Sequence, residues 1–131
     1  MNAKPIFKDG TVATITIPAY MQPRDIFAVL QHHAEEYGPI YCLTYAEDHK
    51  KELVHLAIYS CKAIEPTPER KIHKWDTYLP FIKVASFLRM LKVILRFNGP
   101  LLAFALSQDK DLSVLKAYSN AEPWNPEKEV L

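Results

Sequence analysis

The chain has 131 residues, of which 49% are hydrophobic and 24% charged, and its formal net charge is +1. These proportions are close to the average for globular proteins and exclude wholesale disorder, which requires low hydrophobicity and high net charge. The near-neutral charge balance also excludes a histone-like nucleic-acid binder, although a local basic surface is compatible with it.

The length predicts a single domain over residues 1–131. Within it we expect an N-terminal arm at 1–10, an α+β core at 11–119 and an extended C-terminal tail at 120–131. No apolar run reaches the roughly 18 residues needed to cross a bilayer, and the first residues contain no signal-peptide core. We therefore expect an intracellular protein with no membrane partner.

Few residues indicate catalysis or metal binding. Cys42 and Cys61 allow at most one disulfide and exclude a four-thiolate zinc site, and their place in strand-like runs favours buried free thiols. His32 and His33 adjoin on a predicted helix and point about 100° apart, which disfavours a shared metal ion. No catalytic residue, metal site or cofactor is assigned, so an enzyme is the less favoured class.

The first two elements have clear periodicity. A β-branched run over residues 11–17 predicts a strand that Pro18 ends. Residues 23–38 then carry apolar side chains at spacings of three and four, which predicts a helix of about four turns. Gly38 is the expected left-handed residue at its end.

Two further β-rich runs cover residues 40–46 and 53–61, and the short polar stretch 47–52 joins them. A short polar connector between two such runs predicts a hairpin. Because side chains alternate between the faces of a strand, His55 and Tyr59 are expected on the same face.

After the hairpin, prolines predict a loop at 63–69, and apolar residues at helical spacing predict a helix from 75 to 88. Strong helix formers predict another helix at 101–106, and a last helix is expected at 112–119.

The segment between these helices allows two interpretations. Apolar residues alternate with Lys92 and Arg96 at period two, which predicts a strand at 91–97. The alternative is one long helix over residues 77–97.

The predicted order is strand, helix, strand, strand, helix, strand, helix, helix. The right-handed crossover rule folds this order into an α+β, ferredoxin-like split βαββαβ antiparallel sheet with two extra C-terminal helices. The first and third strands would be central, the fourth strand would flank the first, and two helices would cover one face. The other face would be open.

Basic charge is concentrated near this open face. Residues 62–96 hold eight Lys and Arg residues against three acidic ones. Aromatic rings stack on bases and cations neutralise phosphates, so an open face with both, beside a basic loop, predicts a nucleic-acid surface. The candidate nucleic-acid-binding residues are His55, Tyr59, Arg70, Lys71, His73, Lys74, Lys92 and Arg96.

The triplet His55-Leu56-Ala57 stands where replication initiators of the HUH superfamily carry two metal-binding histidines, and the chain resembles that superfamily in element order. Ala57 has no ligand atom. The segment 98–104 lacks the tyrosine nucleophile of the family and the lysine three residues after it. The pattern is therefore more similar to a non-catalytic branch, the origin-binding domains of polyomavirus large T antigen and of the papillomavirus replication helicase.

That similarity covers residues 12–119 and is strongest at 105–109, at 112–115 and at Glu36-Tyr37. It implies a non-catalytic module that binds DNA or RNA in a viral or mobile-element replication system. The implied location is the cytoplasm or the host nucleus.

Residues 12–61 also resemble an RNA-recognition motif. Lys51–Ile58 keeps the lysine and the apolar alternation of its ribonucleoprotein octamer but lacks the glycine and the aromatic pair. This second resemblance implies a protein-interaction or inhibitor module as the alternative function, with a protein partner or a homodimer. A divergent HUH-type DNA nickase that uses His55 is the second alternative.

Overall fold

The computed structural model describes residues 9–64, 71–77, 82–109 and 112–119. These residues form an α+β structure in which two helices accompany antiparallel strands. In chain order the elements are β1 (Thr11–Pro18), β2 (Tyr20–Met21), α1 (Pro23–Tyr37), β3 (Ile40–Asp48), β4 (Leu53–Ser60), β5 (Lys71–Thr77), β6 (Ile82–Lys83), α2 (Val84–Asn98), β7 (Leu101–Asp109) and β8 (Leu112–Ser119).

Six strands form one sheet in the order β1-β4-β3-β7-β8-β5, and β2 pairs with β6 in a separate ribbon. The sheet consists of two three-stranded parts, which meet where Ile40 of β3 pairs with Leu101 of β7. Both residues are fully buried, so the junction lies in the core.

The first half of the chain confirms several predictions. Helix α1 occupies the predicted segment, and the amide of Gly38 donates to the carbonyl of Ala34 at 3.0 Å to end it. β3 and β4 form the predicted hairpin. Both Cys42 and Cys61 are free thiols; Cys61 is buried as predicted, whereas Cys42 is half-buried, and this partial burial raises the pKa of Cys42.

The strand predicted at 91–97 is wrong, because this segment lies within α2. Val84, Leu88, Leu91 and Leu95 recur at helical spacing and are almost completely buried. A strand would instead have placed Val93 and Phe97 on the same face as Leu91 and Leu95. These two side chains are exposed, so burial follows the 3.6-residue period of a helix. The alternative prediction of one helix over 77–97 agrees better with the structure, but the observed helix starts later, at Val84.

The start of α2 is set by contacts with a distant part of the chain. β6 pairs with β2 through Tyr20 with Lys83 and Met21 with Ile82. The amide of Val84, in the first turn of α2, donates to the carbonyl of Ala19 at 2.9 Å. These contacts explain why the helix does not begin near Trp75, where apolar spacing had suggested it. Part of that predicted helix is the strand β5.

The two helices predicted at 101–106 and 112–119 are also wrong. Both segments are strands, and β7 pairs with β8 along its length, from Leu101 with Ser119 to Asp109 with Leu112. β8 pairs with β5 on its other side. Helix propensity is a weak preference that such pairing overrides.

The ferredoxin-like arrangement is not confirmed. β4 lies between β1 and β3, as a split βαβ unit requires, but β1 is the edge strand of the sheet rather than a central one. On the side of β3 away from β4, the neighbouring strand is β7, and the segment predicted as the fourth strand is helical.

Helices and sheet share a core around Phe27 of α1. Its ring centroid lies 5.3 Å from that of Phe87 in α2 and 5.2 Å from that of Phe104 in β7. The amide of Phe104 also donates to the side-chain oxygen of Gln31, which ties β7 to α1.

Some predictions lie outside the described residues. These are most of the N-terminal arm at 1–10, the tail at 120–131, most of the loop at 63–69, and Arg70. Neither helix of the described chain has the length and hydrophobicity that a membrane-spanning helix requires.

Candidate functional site: the outer face of α2

His55 and Tyr59 lie on the sheet face that was predicted for them. In the register of β1 and β4, His55 pairs with Thr16 and Tyr59 pairs with Val12. The His55 ring nitrogen Nδ1 lies 3.0 Å from Thr16 Oγ1, and the imidazole is exposed. This hydrogen bond orients the ring across the two strands.

Lys92 and Arg96 do not join that face. Both are exposed on α2, and Lys92 Nζ lies 5.5 Å from the ring centroid of Tyr45. Tyr45 pairs with Leu56, whereas Ala46 pairs with His55, so Tyr45 and His55 project from opposite faces of the sheet. The cations and the imidazole therefore belong to two different surfaces.

The candidate residues on β5 lie at the other end of the sheet from β1 and β4. His73 is half-buried and Lys74 is exposed on β5, the outermost strand at the far edge of the sheet from β1. Lys71 begins the same strand, and only its backbone is described. The candidate residues that the structure describes thus do not form one continuous platform.

A different surface stands out on α2. Met90, Val93 and Phe97 are 37%, 52% and 63% exposed and follow one another at spacings of three and four. Such residues lie on one side of a helix, so they form a continuous strip that we call the apolar row.

Three cations lie beside the apolar row. Arg89, Lys92 and Arg96 are all exposed, and their spacings of three and four define what we call the basic row. Helix α2 contains no acidic residue. In the part of the chain that the structure describes, the ion pairs involve other residues, so no carboxylate neutralises the basic row there.

Together the two rows form the outer face of α2, opposite the side chains that α2 contributes to the core. Sequence reasoning missed this face because it assigned the segment to a strand. The spacing of the buried residues Val84, Leu88, Leu91 and Leu95 was the signal that would have revealed it.

The two adjacent histidines of α1, His32 and His33, contact other side chains of the same helix. His32 Nε2 lies 3.1 Å from Glu36 Oε2, and the ring of His33 stacks on Tyr37 with centroids 5.7 Å apart. Among the described residues, no group of three potential ligands is close enough to hold a metal ion. Burial, and to a smaller extent the neighbouring His32, lower the pKa of His33, while Glu36 opposes this shift.

The lowered pKa of His33 predicts a pH-dependent stability. Since the folded state favours the neutral imidazole, its contribution is complete above the unfolded-state pKa of about 6.5 and decreases as the pH falls through that value. We expect the urea midpoint to drop between about pH 7.5 and 5.5, and to drop less in His33→Phe, which keeps the stacked ring but cannot titrate. Identical pH profiles of the two proteins would contradict the assignment.

Comparisons with protein-family models, with curated proteins and with solved structures gave no match for this chain.

Proposed function

We propose that this protein is a protein-interaction module and that the outer face of α2 is its docking surface. The observation that carries the proposal is the apolar row of Met90, Val93 and Phe97. Single exposed apolar residues are ordinary, but a continuous row costs solvation free energy in the free protein and is typical of an interface. Burying Phe97 and its two neighbours against a partner would recover that free energy.

The basic row supports the choice of partner. Arg89 and Arg96 flank the apolar row, and neither has a carboxylate partner among the described residues. Arginine and aromatic residues are enriched where protein interfaces contribute most of their binding energy. A partner with an acidic rim around an apolar centre would complement this face.

Nucleic-acid binding remains a second candidate, and the basic row favours it. Arg89, Lys92 and Arg96 have no carboxylate partner among the described residues, and α2 itself has no acidic residue, so these cations are suited to phosphate contacts. A nucleic-acid surface on the sheet face of His55 would lack Lys92 and Arg96, because these two residues lie on the other side of the sheet. Phosphate binding also leaves the exposed apolar row without a role, so protein docking is the better-supported function.

Site-specific photo-crosslinking tests the proposal. A photoreactive amino acid replaces Val93, and in a control protein it replaces Thr44, which is exposed on the sheet face. After irradiation in an extract of the cells that make the protein, we expect a defined protein adduct from position 93 and not from position 44. A further Phe97→Gln substitution should reduce this adduct about tenfold, the effect of roughly 1.4 kcal/mol of lost contact energy.

Two results would contradict the proposal. Equal adducts from both positions would show that the α2 face is not selective. Alternatively, a labelled oligonucleotide that binds the wild type and is released by Arg89→Gln with Arg96→Gln, in the absence of any protein adduct, would favour the second candidate.

A further inference from the structure

The apolar row of α2 has the spacing of a coiled-coil seam. Met90, Val93 and Phe97 follow one another at intervals of three and four residues, and the polar Ser86 occupies the next seam position, four residues before Met90; all four are exposed. This is the d-a-d-a sequence of a heptad repeat, in which the apolar side chains of one helix meet those of another.

This seam faces away from the protein's own core. The buried positions Val84, Leu88, Leu91 and Leu95 repeat with the same intervals, shifted by two residues. A shift of two residues corresponds to a rotation of about 200° around the helix axis. Helix α2 therefore has two apolar sides, one satisfied by the sheet and α1, and one available to a further helix.

The two flanks of the seam differ in charge. With Met90 and Phe97 at the a positions, Arg89 and Arg96 occupy the g positions, where coiled coils place the charges that select a partner. The e positions on the other flank are Phe87, which is buried, and Ile94, which is half-buried against the core. The free flank is therefore purely cationic.

We propose that the occupant of this surface is an amphipathic helix of a partner protein, with apolar residues along its seam and acidic residues on the flank that meets Arg89 and Arg96. This inference rests on the protein-interaction function proposed above. Helix α2 is 15 residues long. At 1.5 Å per residue it offers about 22 Å, so it accommodates about two heptads of the partner. A contact of this size is expected to be weak and reversible.

A second copy of this chain fits the surface less well. In an antiparallel pair of α2 helices the g positions of the two copies face each other, which brings arginine against arginine. In a parallel pair Arg89 faces the e position of the other copy, where Ile94 provides no carboxylate, and the position opposite Arg96 lies beyond the end of α2. An amphipathic helix with acidic flanks can bury the same apolar residues and can also form ion pairs with both Arg89 and Arg96.

Designed peptides test the proposed occupant. The probe is a labelled helix of about three heptads with Leu at a and d and Glu at e and g, and the matched control has Lys in place of Glu. Fluorescence anisotropy should show the Glu peptide binding with a dissociation constant of about 10–100 μM and the Lys peptide at least about tenfold more weakly. Added salt should weaken the binding of the Glu peptide, because salt screens the attraction between its carboxylates and the arginines.

A charge swap provides the sharpest control. Arg89→Glu with Arg96→Glu should reverse the preference, so that the Lys peptide binds better than the Glu peptide. Val93→Ser with Phe97→Ser should abolish binding of both peptides, while circular dichroism confirms that the exposed substitutions leave the fold intact. Reversal of charge preference is a readout that loss of folding cannot produce.

The outcomes separate this inference from the function on which it rests. Equal binding of both peptides, no binding of either, or binding that survives Val93→Ser with Phe97→Ser would overturn the acidic-helix occupant. If position 93 still cross-links a protein, the interaction module itself stands. A dimer in sedimentation that these two serine substitutions dissolve would replace the acidic helix with a second copy.

Discussion

Replacing Phe27 with alanine should lower the free energy of unfolding by about 3–5 kcal/mol, the usual cost of truncating a buried phenylalanine. The side chain is almost completely buried, and its ring contacts Phe87 of α2 and Phe104 of β7. Removal leaves a cavity where α1, α2 and β7 meet. Because close-packed side chains of three different elements line that cavity, little local rearrangement can fill it.

Urea denaturation measures this effect, and Phe97→Ala is the matched control. Phe97 is the same residue type on a neighbouring element, but 63% of it is exposed. Its replacement should change the free energy of unfolding by less than about 1 kcal/mol, which is typical for surface substitutions. Similar losses for the two variants would contradict the helical assignment of 91–97, since a strand would bury Phe97 beside Leu91 and Leu95.

Gly38→Ala should cost about 3 kcal/mol or more, for two reasons that add. The backbone of Gly38 has φ of 96° and ψ of −174°, a region that is essentially restricted to glycine and costs other residues about 1–3 kcal/mol. A Cβ at this position would also lie 2.7 Å from each of three backbone atoms, the carbonyl oxygen of Cys61 and the N and Cα of Lys62. Backbone atoms cannot move away as a flexible side chain would, so overpacking adds a similar amount.

The close approach of Gly38 to Cys61 and Lys62 follows from a backbone hydrogen bond. The amide of Cys61 donates to the carbonyl of Pro39 at 3.1 Å, which holds the end of β4 against the turn that follows α1. Gly10→Ala is the control, because positive φ among the described glycines is found at Gly38 and Gly99. We expect the urea midpoint of Gly10→Ala to stay near the wild type. A Gly38→Ala protein with an unchanged midpoint would show that this turn is not tightly packed.

These stability variants complement the functional variants. Phe27 and Gly38 hold the fold together, whereas Val93, Phe97, Arg89 and Arg96 lie on the outer face of α2. The first pair should change stability, and the surface group should change binding with little effect on stability. A protein in which the surface substitutions unfold the chain would not have the architecture described above.

Local patterns predicted the first half of the chain well. The β-branched run of β1, the three-to-four spacing of α1 with Gly38 at its end, and the polar connector of the β3–β4 hairpin are each contained within one stretch of sequence. The placement of His55 and Tyr59 on one face also followed, because alternation along a strand needs no knowledge of distant residues.

The second half was predicted poorly, and the reason is physical. Residues 91–97 contain so many apolar side chains that a period of two and a period of 3.6 both fit. Residues 101–106 favour a helix in isolation, but they form β7 because β8 satisfies their backbone hydrogen bonds. The polar connector at 109–111 between two apolar runs was a hairpin signal of the same kind as the one at 47–52.

Sequence alone thus determined the α+β class, the helix α1, the hairpin of β3 and β4 and the excess of basic residues over 62–96. Tertiary structure decided which apolar residues of α2 are buried, since only the positions of the sheet and of α1 select one side of a helix that is apolar on two sides. With this side of α2 buried, Lys92 and Arg96 lie on a different surface from His55, and Met90, Val93 and Phe97 are exposed. Burial depends on contacts between distant segments, and no local pattern contains that information.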